Sequence, residues 1–172
     1  MPPRRGTSEV AQKPKAGIEG GKAFHHVTAR VFCHATEVEE RVVDALAFIV
    51  AADRRSEEKR RAFEKQLERV ASEGHHGNPI VIFEAHVKRS ADIDRFWDAM
   101  MADAAVRRVF TTEFGPRLDD ELVLHARFDK QLASQGKLRF ATSDDCVAIR
   151  AKVAAFPKKR DIALQALDAF FR

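Results

Sequence analysis

The sequence predicts an α+β domain: a mostly antiparallel sheet of four to five strands, with helices packed on one face and an open basic face on the other. Three observations carry this. Segments at 24–34, 80–88, 121–128 and 146–156 alternate apolar and polar residues, the period of a sheet buried on one side. Between them lie stretches with apolar residues at helical spacing, three of them long enough to cover one sheet face. The strand residues of the uncovered parity are selectively cationic.

The first strand, "FHHVTARVFCH" at 24–34, places Val27, Ala29, Val31 and Cys33 on one side and His26, Thr28, Arg30, Phe32 and His34 on the other. Thr36 with Glu39 three residues on reads as a capping box, opening a helix over 37–51 with Val38, Val42, Leu46 and Ile49 in phase. Residues 56–70 are highly charged with a thin stripe of Phe63, Leu67 and Val70, predicting a second, exposed helix. Gly74 then ends that helix, and Pro79 in "GHHGNPI" holds Asn78 extended at the entrance to a strand over 80–88, where Glu84, His86 and Lys88 face away from Phe83 and Ala85.

Ser90 is placed as N-cap of a helix with an apolar face running from Ile93 through Trp97 to Val109, ended by Gly115-Pro116. His125 and Arg127 face away from Leu124 and Ala126 in the third strand, and "GKLRF" at 136–140 predicts a short strand bearing Lys137 and Arg139. In the last strand Arg150 and Lys152 oppose Ile149 and Ala151; Pro157 stops it, and Ile162, Ala166 and Phe170 mark a final helix.

The 172 residues suit one domain over 23–172, preceded by a basic tail over 1–22 that is too poor in apolar residues to offset the entropy of ordering. The absence of an apolar leader or of a membrane-length run predicts a cytoplasmic protein with no membrane association. Cys33 and Cys146 sit in strand surroundings without metal-ligand spacing, so they read as packing residues rather than a disulfide. Net charge is +3 over the tail, −3 over 24–128 and +4 over 129–172. The last third is the basic part.

The open face therefore collects seven Lys/Arg and four His against one Glu among its named positions. Valine and threonine would suit a merely solvated sheet better, so the pattern points to an anionic partner. In "FPKKRD", Lys158, Lys159 and Arg160 are expected in the first turn of the last helix, where cations oppose the macrodipole unless phosphate binds there.

Other chemistries fit less well. His25 and His26 point to opposite faces and no paired ligand spacing occurs, so no metal or cofactor is expected. "HVT" and "HAT" match the His-x-Thr tripeptide of two-histidine phosphoesterases, giving an enzymatic alternative with His26 and His34 as acid and base. Asp129-Lys130 in "FDKQ" reads either as a charged catalytic pair or, more simply, as an Asp that caps a short helix.

The segments "RVFCHATE", "GHHGNPI", "FDKQ" and "DDCVAIRAKVAAFPKKR", in that order, resemble the archaeal RNA-binding proteins regarded as predicted exosome subunits. The resemblance spans about 24–171 and implies a fold similar to the ribosomal protein that contacts the small RNA of the large subunit. It also implies RNA as partner, with exosome or ribosomal components as associates. On both grounds the chain reads as a non-catalytic RNA binder. The candidate contacts are His26, Arg30, Phe32, His34, His75, His76, Asn78, Lys88, Arg127, Lys130, Arg150, Lys152, Lys158, Lys159 and Arg160. An interaction module or homodimer using the open sheet is the non-enzymatic alternative, and the oligomeric state is open.

Overall fold

The computed structural model describes residues 17–18 and 22–172. In chain order the elements are β1 (Gly17–Ile18), β2 (Phe24–His34), α1 (Glu39–Ile49), α2 (Glu57–Gln66), β3 (Glu68–Glu73), β4 (Pro79–Val87), α3 (Ser90–Ala102), α4 (Ala104–Thr112), a 3-10 turn (Gly115–Arg117), β5 (Val123–Asp129), α5 (Lys130–Ser134), β6 (Cys146–Val153), β7 (Ala155–Phe156) and α6 (Arg160–Phe171). Five strands make one sheet in the order β3-β4-β2-β6-β5. All its neighbours are antiparallel.

The predicted parity holds along all four alternating strands. Val27, Ala29 and Val31 of β2, Phe83 and Ala85 of β4, Ala126 and Phe128 of β5, and Val147 and Ile149 of β6 are buried. They join Leu46 and Ile49 of α1, Phe96 and Trp97 of α3, Phe110 of α4, and Leu167 and Phe171 of α6 in one core. Where β2 begins, Phe24 stacks on Trp97 at 4.5 Å, and Trp97 meets Phe110 edge-on at 5.3 Å and Phe171 at 5.4 Å. These rings tie α3, α4 and α6 to the central strand, each contributing burial on the order of 1.5–3 kcal/mol.

Several elements differ from the sequence reading. The charged segment at 56–70 is a helix only to Gln66; Leu67 turns extended, and Glu68–Glu73 pairs with β4 as an edge strand. Every residue of that strand is exposed, so it shows no alternation to read. Its charges are those of an edge protected against further pairing. Gly74 consequently follows a strand rather than a helix, and "GHHGN" is a hairpin turn in which Gly74 N donates to Asn78 O at 2.7 Å. Gly77 sits at φ +74°, a conformation that glycine adopts without a Cβ clash.

The capping box does not form: α1 starts after Val38 without a side-chain cap, so Glu39 is the first helical residue rather than the third, and it pairs instead with Arg69 of β3 at 2.8 Å. Ser90 is the first helical residue, not the cap. The helical stretch after it breaks at Asp103, whose carboxylate accepts from Ala105 N and Val106 N and starts α4. "GKLRF" makes only an isolated bridge, Phe128 to Phe140, and the segment at 146–156 splits at Ala154 so that β7 pairs with β1. The disordered-tail expectation lies outside the described residues except at Gly17–Ile18, which form that strand. The buried thiols of Cys33 and Cys146 are free. Among the described residues no helix is long and apolar enough to cross a membrane.

Asp103→Ala should lower stability by about 1 kcal/mol, whereas Thr36→Ala should leave it within about 0.5 kcal/mol. Urea unfolding of the two variants checks both.

Candidate nucleic-acid interface

Residues directly opposite in an antiparallel pair share a face, so the register draws the open face as rows. At the end where β2 starts, His26 lies opposite Lys152, with Lys88 just beyond Val87, the partner of Val27. The next row runs His86, Thr28, Arg150, His125. Then come Glu68, Glu84, Arg30, Ala148 and Arg127 across all five strands. A further row holds Val70, Ile82 and Phe32, and beyond it lie Ser72, Ile80 and His34.

The face is polarised rather than uniformly basic. In its middle, Arg30 Nε donates to Glu84 at 2.6 Å, His86 lies 3.2 Å from Glu68, and Arg127 pairs with Asp144 at 3.2 Å. His125 pairs with Asp119 at 2.7 Å. Toward the start of β2, among the described residues, Lys88 and Arg150 have no ion pair, and Lys152 Nζ donates only to the Glu121 carbonyl. Burial, then the neighbouring His25, Lys152 and Lys88, hold His26 below its ordinary value. Far along β2, Phe32 is 41% exposed and Val70 54%, an apolar strip the alternation of β2 alone does not reveal.

Lys130 does not reach this surface. It is 2% exposed; Nζ donates to Phe32 O at 2.9 Å and Glu37 Oε2 at 2.7 Å, and lies 2.6 Å from Asp145 Oδ1. Phe32 O and Glu37 take two of its N–H donors as hydrogen bonds, and Asp145 Oδ1 is held by charge at short range. Gln131 Nε2 bridges the same Glu37 and Asp145 at 3.2 and 3.0 Å, and Glu37 also accepts from His34 N at 2.9 Å. Burial opposes every charge here, but the mutual hydrogen bonds outweigh it: Lys130 is held above its ordinary value, and Glu37 and Asp145 below theirs. Asp129 caps α5 by accepting from Leu132 N at 2.8 Å. Three motifs far apart in sequence, "HATE", "FDKQ" and "DDC", thus meet around one buried ammonium.

The remaining candidates fall at the periphery. His75 and His76 are exposed at the hairpin tip, edge-on at 5.4 Å. That tip adjoins Ile80 and His34, the apolar end of the face, so the pair rims the strip and not the cations. Asn78 has its backbone carbonyl engaged in the turn. Helix α6 starts at Arg160, two residues later than expected; Lys158 and Lys159 precede it. Arg160 is occupied with Leu118 O and, at 3.1 Å, Gly115 O, pinning the 3-10 turn. Lys158 shares a surface recess with Lys152 and His25.

Among the described residues, two groups have donor atoms close enough for a cation: His34, Glu37 and Asp145, and Glu68, Glu84 and His86. The first already surrounds the Lys130 ammonium, and the second already pairs with Arg30. Both suit a resident side-chain cation better than a metal. His26 and His34 sit eight positions apart on one strand, about 26 Å at 3.3 Å per residue. That pair cannot bracket one phosphate as acid and base.

A family model described as RNA binding matches residues 26–153. The chain is 29% identical over 152 residues to RNA-binding protein PAB1135 of Pyrococcus abyssi, covering 87% of this chain and 95% of that protein. Its fold is similar to Mth689, a DUF54 protein from Methanothermobacter thermautotrophicus (TM-score 0.68, 25% identity, 88% of this chain and 100% of that one). It is also similar to AF2318, a DUF54 protein from Archaeoglobus fulgidus (TM-score 0.64, 25% identity, 83% and 95%).

Lys130→Met should cost about 2–3 kcal/mol, short of the 3–5 of a fully buried pair because Asp145 is 39% exposed. Adding Glu37→Gln and Asp145→Asn should recover part of that loss. The carboxylates, with folded values lowered, contribute stability fully present above about pH 4.5 and lost as pH falls through their folded values. Lysine, with its value raised, contributes stability lost only as pH rises above about 10.5. Chemical denaturation of wild type and Lys130→Met across pH 3–8 should therefore converge toward the acid end.

Proposed function

Because this chain belongs to the RNA-binding family, we propose that it holds RNA on the open sheet face, with phosphates at the end where β2 begins, and performs no reaction on it. The observation that carries this reading is the group His26, Lys88, Lys152 and Arg150, in which no cation is paired with a carboxylate among the described residues. Lys158 adjoins Lys152 in a recess that Asp120 and Glu121 also line, and Lys159 follows it in sequence. Phosphate contacts of this kind supply affinity without sequence information. Arg30 and Arg127, each held by one carboxylate contact, keep further N–H groups for the backbone. Arg160 and Lys130 act from behind the surface, Arg160 through the 3-10 turn and Lys130 through the carbonyl of Phe32.

The cellular setting follows from the family resemblance: RNA processing or degradation beside exosome components, or a ribosome-related RNA, in the cytoplasm. A second reading is favoured by one observation, the row in which exposed Phe32 and Val70 flank half-buried Ile82. In that reading a second copy or another subunit covers the sheet. Charge reversal separates them.

Arg150→Glu with Lys152→Glu should weaken RNA binding at least tenfold while leaving sedimentation unchanged. With about four cations engaged, log affinity should fall against log salt with a slope of roughly −3 for a single strand, and the variant should flatten that slope by about 1.5. Anisotropy titrations at several salt concentrations read both. A salt-independent signal, or a change in sedimentation with unchanged RNA affinity, overturns the proposal. Phosphate near His26 favours its protonated form, so affinity should rise as pH falls below about 7, and His26→Ala should reduce that dependence, with the remainder carried by the other histidines of the face.

A further inference from the structure

We infer that the face has a second compartment, a groove at the far end of β2 that takes one unpaired base stacked on Phe32, making the RNA ligand single-stranded. This rests on the RNA-binding reading and specifies what is bound. The groove measures about 780 Å³ and is lined by Phe32, Arg30, Arg127, His34 and Ala148, together with Glu37, Asp144 and Asp145, whose carboxylates are already paired with Lys130 or Arg127. That volume lies within the range of small-ligand sites, roughly 300–1,000 Å³.

Its construction suits a planar ring flanked by phosphodiester. Ala148 lies between Arg30 and Arg127 in one row across β2, β6 and β5, so the two arginines stand about 10 Å apart at 4.8 Å per strand. The small side chain between them leaves a recess. Arg30 is fixed through Nε to Glu84, and Arg127 through one Nη to Asp144, yet their side chains remain 52% and 64% exposed. Two oriented guanidinium groups therefore face the groove with donors to spare.

Phe32 stands one row further on, at the centre of the sheet. No other aromatic ring packs on it among the described residues, although Phe24, Phe110 and Phe128 are all in ring contacts within the core. Its position is not slack: the Phe32 carbonyl is clamped by the buried Lys130. The phenyl ring is thus exposed on a backbone that is held in place, as a stacking platform requires. A-form duplexes keep base faces inside the stack, so a recessed ring can meet only a base that has left it.

The test uses the full chain with a 12-nucleotide RNA and the blunt duplex formed from it, read by anisotropy, with 2-aminopurine placed centrally in the single strand. Phe32→Ala should weaken single-strand binding about 5- to 100-fold with duplex binding unchanged, and Phe32→Trp should restore it. The 2-aminopurine emission should be quenched by wild type and not by Phe32→Ala. Unchanged single-strand affinity in Phe32→Ala, alongside its loss in the Arg150→Glu, Lys152→Glu variant, overturns the base platform and keeps the RNA reading. Wild type that binds neither RNA overturns both. Self-association of wild type that Phe32→Ala abolishes, with RNA affinity intact, overturns the platform in favour of a second copy over the ring.

Discussion

Strand β2 is hydrogen-bonded to β4 on one side and β6 on the other, and that double pairing constrains everything around it. With Val27, Ala29 and Val31 fixed against the helices, a slip of one residue would bury His26, Arg30 and His34 and expose the core. The cost of burying unpaired cations makes the register effectively unique. Both neighbouring strands inherit it. The open face is therefore the necessary complement of the core.

Two opposing demands shape that face. Cations across several strands repel one another, and acids relieve the repulsion: Glu84 and Glu68 within a row toward one edge, Asp144 and Asp119 from the segments before β6 and β5 toward the other. Relief is uneven. It leaves the start of β2 positive and the end of β2 apolar. The buried Lys130 cluster closes the apolar end, joining the strand, α5 and the segment before β6 through hydrogen bonds that no solvent-exposed pair would sustain as strongly. Rigid backbone beneath Phe32 is the consequence.

Much of this was legible in the residues themselves. Alternation identified four of the five sheet strands, because each has a dry and a wet side. β3 was not legible, since an edge strand exposed on both sides carries no alternation, and its charges imitate a solvated helix. The open parity was read correctly for Arg30, Arg150 and Lys152, but the acids that neutralise Arg30 and Arg127 come from other segments. Lys130 was misplaced as a surface contact for the same reason: its three partners lie at positions 32, 37 and 145. The one available hint was that "FDKQ" opens on a capping Asp, which starts a helix directly at the lysine.

The sequence by itself determined the class of fold, the alternating strands and the side of each that faces water, because hydrophobic periodicity is a local property. It also determined that cations accumulate on that side. Only the tertiary structure decided which of them keep their charge unpaired, that 68–73 is a strand, and that Phe32 and Ile82 adjoin across β2 and β4. Charge pairing and edge pairing are made between residues tens of positions apart, and no local pattern records them.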